Sequence, residues 1–141
     1  AGEKLPFAQA DIQRQGWSIE CRINAEDPYR NFLPSTGRLI RFQPPKTTMF
    51  QSDTQQLLGV RVDTGVQEGG EISMHYDSMI AKLITHGRDR QESIARMRRA
   101  LDEFVIEGIK TTIPLHRRIL DDPDFQKGHV STTFLERFLA G

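Results

Sequence analysis

Glu20, Arg22 and Asn24 alternate with Cys21 and Ile23 in the stretch Glu20-Cys21-Arg22-Ile23-Asn24-Ala25-Glu26-Asp27-Pro28. In an extended chain successive side chains face opposite ways, so the carboxylate, the guanidinium and the amide share one face. A guanidinium held by a strand beside a carboxylate and an amide is suited to stabilising an anion. The competing reading is a solvated sheet face with one ordinary ion pair, which contributes little. A second group, His75-Tyr76-Asp77-Ser78, lies at a strand junction. There Asp77 could orient Arg22 across the sheet and Tyr76 could wall a flat ligand; otherwise Asp77 caps a turn and Tyr76 is core.

Other chemistries find less support. No glycine loop of the GxxxxGK[ST] or GxGxxG kind is present, and the glycines of 65–70 suit a hairpin better. The four histidines, His75, His86, His116 and His129, lack metal-ligand spacing. His116 falls on a basic helix face and is expected to be solvated. No metal site is expected, and no Ser/His/Asp set declares itself.

The elements that must position these residues read as strands first and helices afterwards. Residues 17–24 form a strand with Trp17, Ile19, Cys21 and Ile23 on its apolar side. Asp27-Pro28 and 33–37 are turn chemistry. Residues 38–42 read as a short strand and 43–56 as a polar loop opened by Pro44-Pro45. Residues 59–63 are a strand with Val60 and Val62 inward, 68–71 a hairpin turn, and 72–76 the return strand. Residues 79–84 are apolar on both faces except for Lys82, which marks a central strand ended by Gly87.

Ile94, Met97, Leu101, Phe104 and Val105 then trace an amphipathic helix ended by Gly108. Thr111 to Pro114 start a second helix, with Leu115, Ile119 and Leu120 inward, stopped at Asp122-Pro123. Thr133 and Glu136 are spaced as a capping box for a last helix. The fold class is α+β, an antiparallel β-sheet followed by helices packed on one side. Residues 1–15 are polar and read as a linker, leaving 16–141 as one domain.

Composition bounds the partners. The 141 residues suffice for one domain with a core. Lys plus Arg equals Asp plus Glu at 19 each, so no bulk field points to nucleic acid or an anionic membrane. Arg96, Arg98 and Arg99 cluster, but without interleaved aromatics and with acidic neighbours. One cysteine excludes an internal disulfide; Cys21 reads as a small buried hydrophobe in a reducing compartment. No apolar run approaches the roughly 20 residues that span a bilayer, and no secretory signal pattern is seen. The start at Ala1 suggests a piece of something longer.

Several long motifs in order carry a resemblance over nearly the whole chain, from about Gly16 to Leu139. They are residues 16–28, 33–37, 59–63, 76–84 and 106–111. The chain resembles the C-terminal domain of biotin carboxylase, the ATP-grasp component of biotin-dependent carboxylases. Within that family, residues 65–73 look like the acyl-CoA carboxylases, propionyl-CoA types in particular.

The resemblance implies that ATP activates bicarbonate and that protein-linked biotin then takes the carboxyl group at a ureido nitrogen. The family's arginine that stabilises negative charge on the ureido oxygen falls on Arg22. Glu20, Tyr76 and Asp77 become neighbours of the biotin site, Thr132 a nucleotide-proximal contact and Arg61 a dimer-interface residue. ATP and Mg2+ would be bound mainly by an ATP-grasp region preceding this chain, of which residues 1–15 look like the end. The implied partners are that region, the biotin carboxyl carrier domain, the carboxyltransferase subunit and a second copy in a homodimer. The implied setting is the bacterial cytoplasm or the mitochondrial matrix. The alternative is an assembly or dimerisation module of the same complex with no chemistry of its own. Two departures stand out: residues 43–58 are longer than the family's short turn and lead towards the dimer-interface strand, and His75 replaces an aromatic or proline before Tyr76.

Overall fold

A computed structural model describes the backbone of residues 2–51 and 57–141 and the side chains of 2–48 and 59–141. Among these residues the main sheet has four antiparallel strands in the order β1-β9-β7-β6, with β1 Trp17–Asn24, β9 Met79–Gly87, β7 Leu57–Thr64 and β6 Thr48–Gln51. β9 is the central strand that its two-sided apolar pattern predicts. Its Leu83 pairs with Cys21 on one side and Val62 on the other.

One sheet face buries Cys21, Ile23, Val60, Ala81 and Leu83. Helix α1, Arg90–Glu103, lies against it with Ile94, Met97, Ala100 and Leu101 buried. Each such large apolar side chain contributes about 1.5–3 kcal/mol relative to exposure. Two polar side chains inside this layer, Thr85 and Ser93, satisfy each other: Thr85 Oγ1 donates to Ser93 O at 3.1 Å, and Ser93 Oγ to Thr85 O at 3.4 Å. Asp89 starts the helix by accepting the Glu92 N–H at 2.8 Å.

Short strand pairs flank the sheet: β2 Glu26–Asp27 with β3 Leu33–Pro34, β4 Gly37–Arg38 with β8 Glu71–Ile72, and β5 Arg41–Gln43 with β10 Val105–Glu107. Phe42 and Phe104 meet edge to face at 5.5 Å beneath the last pair. Helices α2 Ile113–Asp121, α3 Pro123–Lys127 and α4 Phe134–Ala140 close the chain. Phe134 joins α4 to Phe125 of α3. Residues 2–15 are exposed and carry only a 3-10 turn at Gln9–Asp11.

Several local expectations are corrected. Residues 38–42 are not one strand: the chain bends at Leu39 and Ile40, where Leu39 is fully buried and exchanges backbone hydrogen bonds with Gly69 and Gly70. The return strand after Gly69-Gly70 is only β8, and it pairs with β4 rather than β7, because β7 is already flanked by β9 and β6. Residues 48–51 within the expected loop are strand β6; 52–56 lie outside the described residues. Helix α1 ends at Glu103, and Val105 belongs to β10, where it pairs with Gln43. Pro123 does not merely stop α2 but opens α3, with Asp122 accepting the Asp124 and Phe125 N–H groups. Thr133 precedes α4 without a side-chain cap, so the capping box does not form.

Candidate functional site

Among the described residues the side of the sheet away from α1 stays open, and its residues follow from register. Arg22 pairs with Lys82 and Lys82 with Asp63; Glu20 pairs with Ile84 and Ile84 with Arg61. Cross-strand partners share a face, so three cations, two carboxylates and the half-buried Ile84 stand together. Asp63 absorbs two of the cations: Arg61 Nε donates to it at 2.8 Å and Lys82 Nζ lies 3.8 Å away. The hydrogen bond from Arg61 holds the Asp63 carboxyl below the usual carboxylate range. Arg22 alone of the three has no carboxylate partner among the described residues. Its Nε donates to the Met79 thioether at 3.3 Å, and Glu20 forms no ion pair with it.

Of the two readings of Asp77, the turn cap is the one seen, and its link to Arg22 is indirect. Asp77 Oδ1 accepts the Met79 N–H at 2.8 Å, capping the turn that precedes β9. Asp77 thus fixes the residue whose sulfur meets Arg22. Tyr76 is neither core nor wall to Arg22 here: it is 83% exposed and borders a pocket of about 190 Å³ with Glu26, Ser35 and Ser78. Asn24 turns towards that side, donating weakly to Glu26 Oε1 at 3.5 Å, and Ser78 Oγ donates to the same oxygen.

Thr132 lies elsewhere, in a mostly apolar cleft of about 330 Å³ between β1 and α2–α4. Ile19, Leu120, Phe125 and Leu135 line it, with Glu20, Cys21 and His116 its titratable groups. β1 therefore presents Arg22 on the open face and Glu20 at the rim of this cleft.

His116 is the largest departure from expectation. It is half-buried rather than solvated, and its Nε2 lies 2.8 Å from the Arg22 carbonyl oxygen. A carbonyl only accepts, so Nε2 carries the proton. Burial holds the imidazole below its ordinary range, offset in part by that bond, so the ring is neutral near pH 7. Thr112 Oγ1 donates to the same carbonyl at 3.0 Å. The available signal was the spacing: Thr112 and His116 are four apart at the start of a helix and share a face.

Burial and, secondarily, the charge of Glu20 push the Cys21 thiol up to about 12. Thiolate is therefore scarce at pH 8. Cys21 is expected to resist a thiol-specific chromogenic reagent in the folded chain and to react once denaturant is added. Fast labelling of the native state would show that the cleft admits the reagent and that the thiol is activated.

Comparison with known proteins places this geometry. Residues 20–137 match the family described as the biotin carboxylase C-terminal domain. Biotin carboxylase 1 of Bacillus subtilis is 49% identical over 138 residues, covering 98% of this chain and 28% of that protein. The mitochondrial propionyl-CoA carboxylase alpha chain of Homo sapiens is 49% identical over 135 residues, covering 95% of this chain and 17% of its own length. Among solved structures, the biotin carboxylase domain dimer of Hydrogenobacter thermophilus 2-oxoglutarate carboxylase, in complex with MgADP, ADP and bicarbonate, superposes with a TM-score of 0.86 at 43% identity. That match covers 96% of this chain and 28% of the other. The chain thus spans under a third of the length of these relatives. With a match over most of its residues and the same antiparallel sheet and helices, it belongs to the biotin carboxylase C-terminal domain family.

Proposed function

We propose that this chain is the biotin-facing lobe of a biotin carboxylase and that Arg22 serves carboxyl transfer in an ATP- and bicarbonate-dependent reaction. Carrier-linked biotin, as the substrate, would supply the nitrogen that accepts the carboxyl group. Arg22 would hold the ureido oxygen, where negative charge gathers. A cation fixed in advance at such a position is often the largest catalytic contribution. The observation that carries the reading is an exposed guanidinium, rooted in a strand, that no described carboxylate neutralises while both neighbouring cations share Asp63. The half-buried Ile84 beside it suits a ligand with a polar head and an apolar body. Glu20, Tyr76 and Asp77 are proposed as neighbours of that site.

Thr132 and its apolar cleft suit the edge of a purine, and we assign it the nucleotide-proximal role. Among the described residues no three His, Cys, Asp or Glu side chains cluster to hold a metal. Binding of Mg2+ and most of the ATP would then fall to an ATP-grasp region joined through residues 1–15, with the carrier domain and a carboxyltransferase as further partners. An acyl-CoA, propionyl-CoA in particular, is the proposed final acceptor. Arg61 is assigned to a dimer interface, which the new edge strand β6 adjoins. No helix is long and apolar enough to cross a membrane among the described residues, and the bacterial cytoplasm or mitochondrial matrix is the proposed setting.

The other reading makes the domain an assembly module only. Bicarbonate- and biotin-dependent ATP cleavage separates the two. The complete subunit carrying this chain is expected to show it, and the 141-residue chain alone is expected to show none. Turnover by the chain alone would overturn the division of labour proposed here.

A further inference from the structure

β1 is an edge strand, and an edge strand has one row of backbone groups with no ladder partner. On its inner side β9 supplies the partners from Trp17 to Asn24. On its outer side the Arg22 carbonyl and both backbone groups of Asn24 are met by the start of α2. Thr112 N–H donates to Asn24 O at 3.1 Å, Asn24 N–H to Thr112 Oγ1 at 3.0 Å, and Thr112 Oγ1 to Arg22 O at 3.0 Å. His116 Nε2–H adds a second donor to Arg22 O at 2.8 Å, so both lone pairs of that carbonyl are used. Beyond the strand ladder, this concentrates four hydrogen bonds on the outer edge at residues 22 and 24. Thr112 is buried, which makes its bonds hard for water to replace, while the half-buried imidazole adds its bond from the wall of the cleft.

We propose that His116, with Thr112, is a positioning residue for Arg22: it pins the peptide from which the guanidinium projects, so that the charge is delivered to a fixed place. This rests on the reading that Arg22 acts on the substrate. A guanidinium reaches its target through four rotatable side-chain bonds, and movement at the Cα is passed on to its tip. Misplacement by about 1 Å at a reacting centre is enough to cost up to a hundredfold in rate. His116 acts on Arg22 only through the backbone, while its ring also lines the cleft assigned to the purine edge. Around the ring, Glu20 and Cys21 of β1 are the other titratable groups lining the cleft, and α3 and α4 turn Phe125, Phe134 and Leu135 towards it. The ring donates in both its neutral and its charged form, so the device needs a donor at that point rather than a particular charge.

The test uses the complete carboxylase subunit carrying this chain. It measures biotin-dependent carboxylation and, separately, the bicarbonate-dependent ATP cleavage that proceeds without biotin. His116→Leu removes the donor, and His116→Gln offers an amide N–H of similar reach. The expected result for His116→Leu, read at saturating ATP because the ring also lines the cleft assigned to the purine, is a roughly tenfold lower ratio of biotin-dependent to biotin-independent turnover, with a KM for biotin changed less than twofold. His116→Gln is expected to restore that ratio to within about threefold of wild type. Equal loss of both reactions without rescue by glutamine would mean a merely structural role, and full activity of His116→Leu would remove the role altogether. Should His116→Leu fail to fold, Thr112→Val against Thr112→Ser poses the same question, because only serine keeps the hydroxyl. Arg22→Met separates the two levels. If it leaves biotin-dependent turnover unchanged, the reading of Arg22 fails and this inference with it; if it abolishes turnover while His116→Leu does not, this inference alone is wrong.

Discussion

Arg22→Met in the complete subunit is expected to lower biotin-dependent carboxylation by about 10²–10³-fold in kcat, the scale seen when one preorganised charge-stabilising donor is removed. The fold should hardly notice. Arg22 is exposed, forms no salt bridge among the described residues, and gives up only a contact with the Met79 sulfur. Surface substitutions of that kind usually stay within about 0.5 kcal/mol. Methionine keeps the unbranched stem and removes the charge, so packing along β1 is retained. The measurement is therefore paired: steady-state carboxylation of biotin, and thermal unfolding of the same preparation. Loss of activity at constant melting temperature supports a chemical role. Loss of both together would make Arg22 a structural residue of the sheet, and an unchanged rate would favour the assembly-module reading.

The second large effect is on stability and lies far from the open face. Gly108→Ala is expected to destabilise the chain by about 4 kcal/mol, combining backbone strain of about 1–3 kcal/mol with overpacking of similar size. Gly108 has φ +106°, a conformation that side chains disfavour, and an added Cβ would stand 2.1 Å from Arg38 O and 3.1 Å from Ile40 N. Neither neighbour can retreat cheaply. Ile40 N–H donates to Glu107 O at 2.9 Å where β5 and β10 come together. Displacing that seam would pull Phe42 from Phe104. For a domain whose total stability is about 5–15 kcal/mol this is a large fraction, with a fall in melting temperature of roughly 10 °C. A change below about 2 °C would show that the 37–40 segment moves aside freely.

The strands nearest the site were legible because burial there follows simple periods. Cys21 and Ile23 alternate with Glu20 and Arg22, and Ile80, Ala81 and Leu83 mark a strand flanked by neighbours on both edges. The same periodicity misled at Val105, which continues the α1 stripe in sequence but leaves the helix to pair with Gln43. A β-branched pair following a helix carries no local mark of where the helix must end. Strand β6 was hidden for another reason. Pro44-Pro45 and polar residues read as loop, whereas its ladder depends on β7 being an available edge.

At the site, Arg22 could be picked out because strand alternation fixes its face. Its surroundings could not, since they depend on which distant elements dock. Met79 is brought by β9, Thr112 and His116 by α2, and of the two readings open for Asp77 its carboxylate takes the local turn. Tyr76 and Thr132 end up in different pockets, which no spacing in the chain announces.

The hydrogen bonds that clamp Arg22 O span 90 and 94 positions of sequence. Closing a loop of that length costs little more in equilibrium free energy than closing a shorter one, since each doubling adds only about 0.6 kcal/mol. Its effect is on the order of events, because distant pairings form late. In chain order β1 and β9 both precede α2, so their pairing can form before α2 docks on the outer edge. Until residues near Thr112 and His116 are made and docked, the arginine sits on a strand with one side unlatched. A chain interrupted before that point would retain the sheet's sequence yet lack the settled arginine, so competence arrives only near the completion of folding.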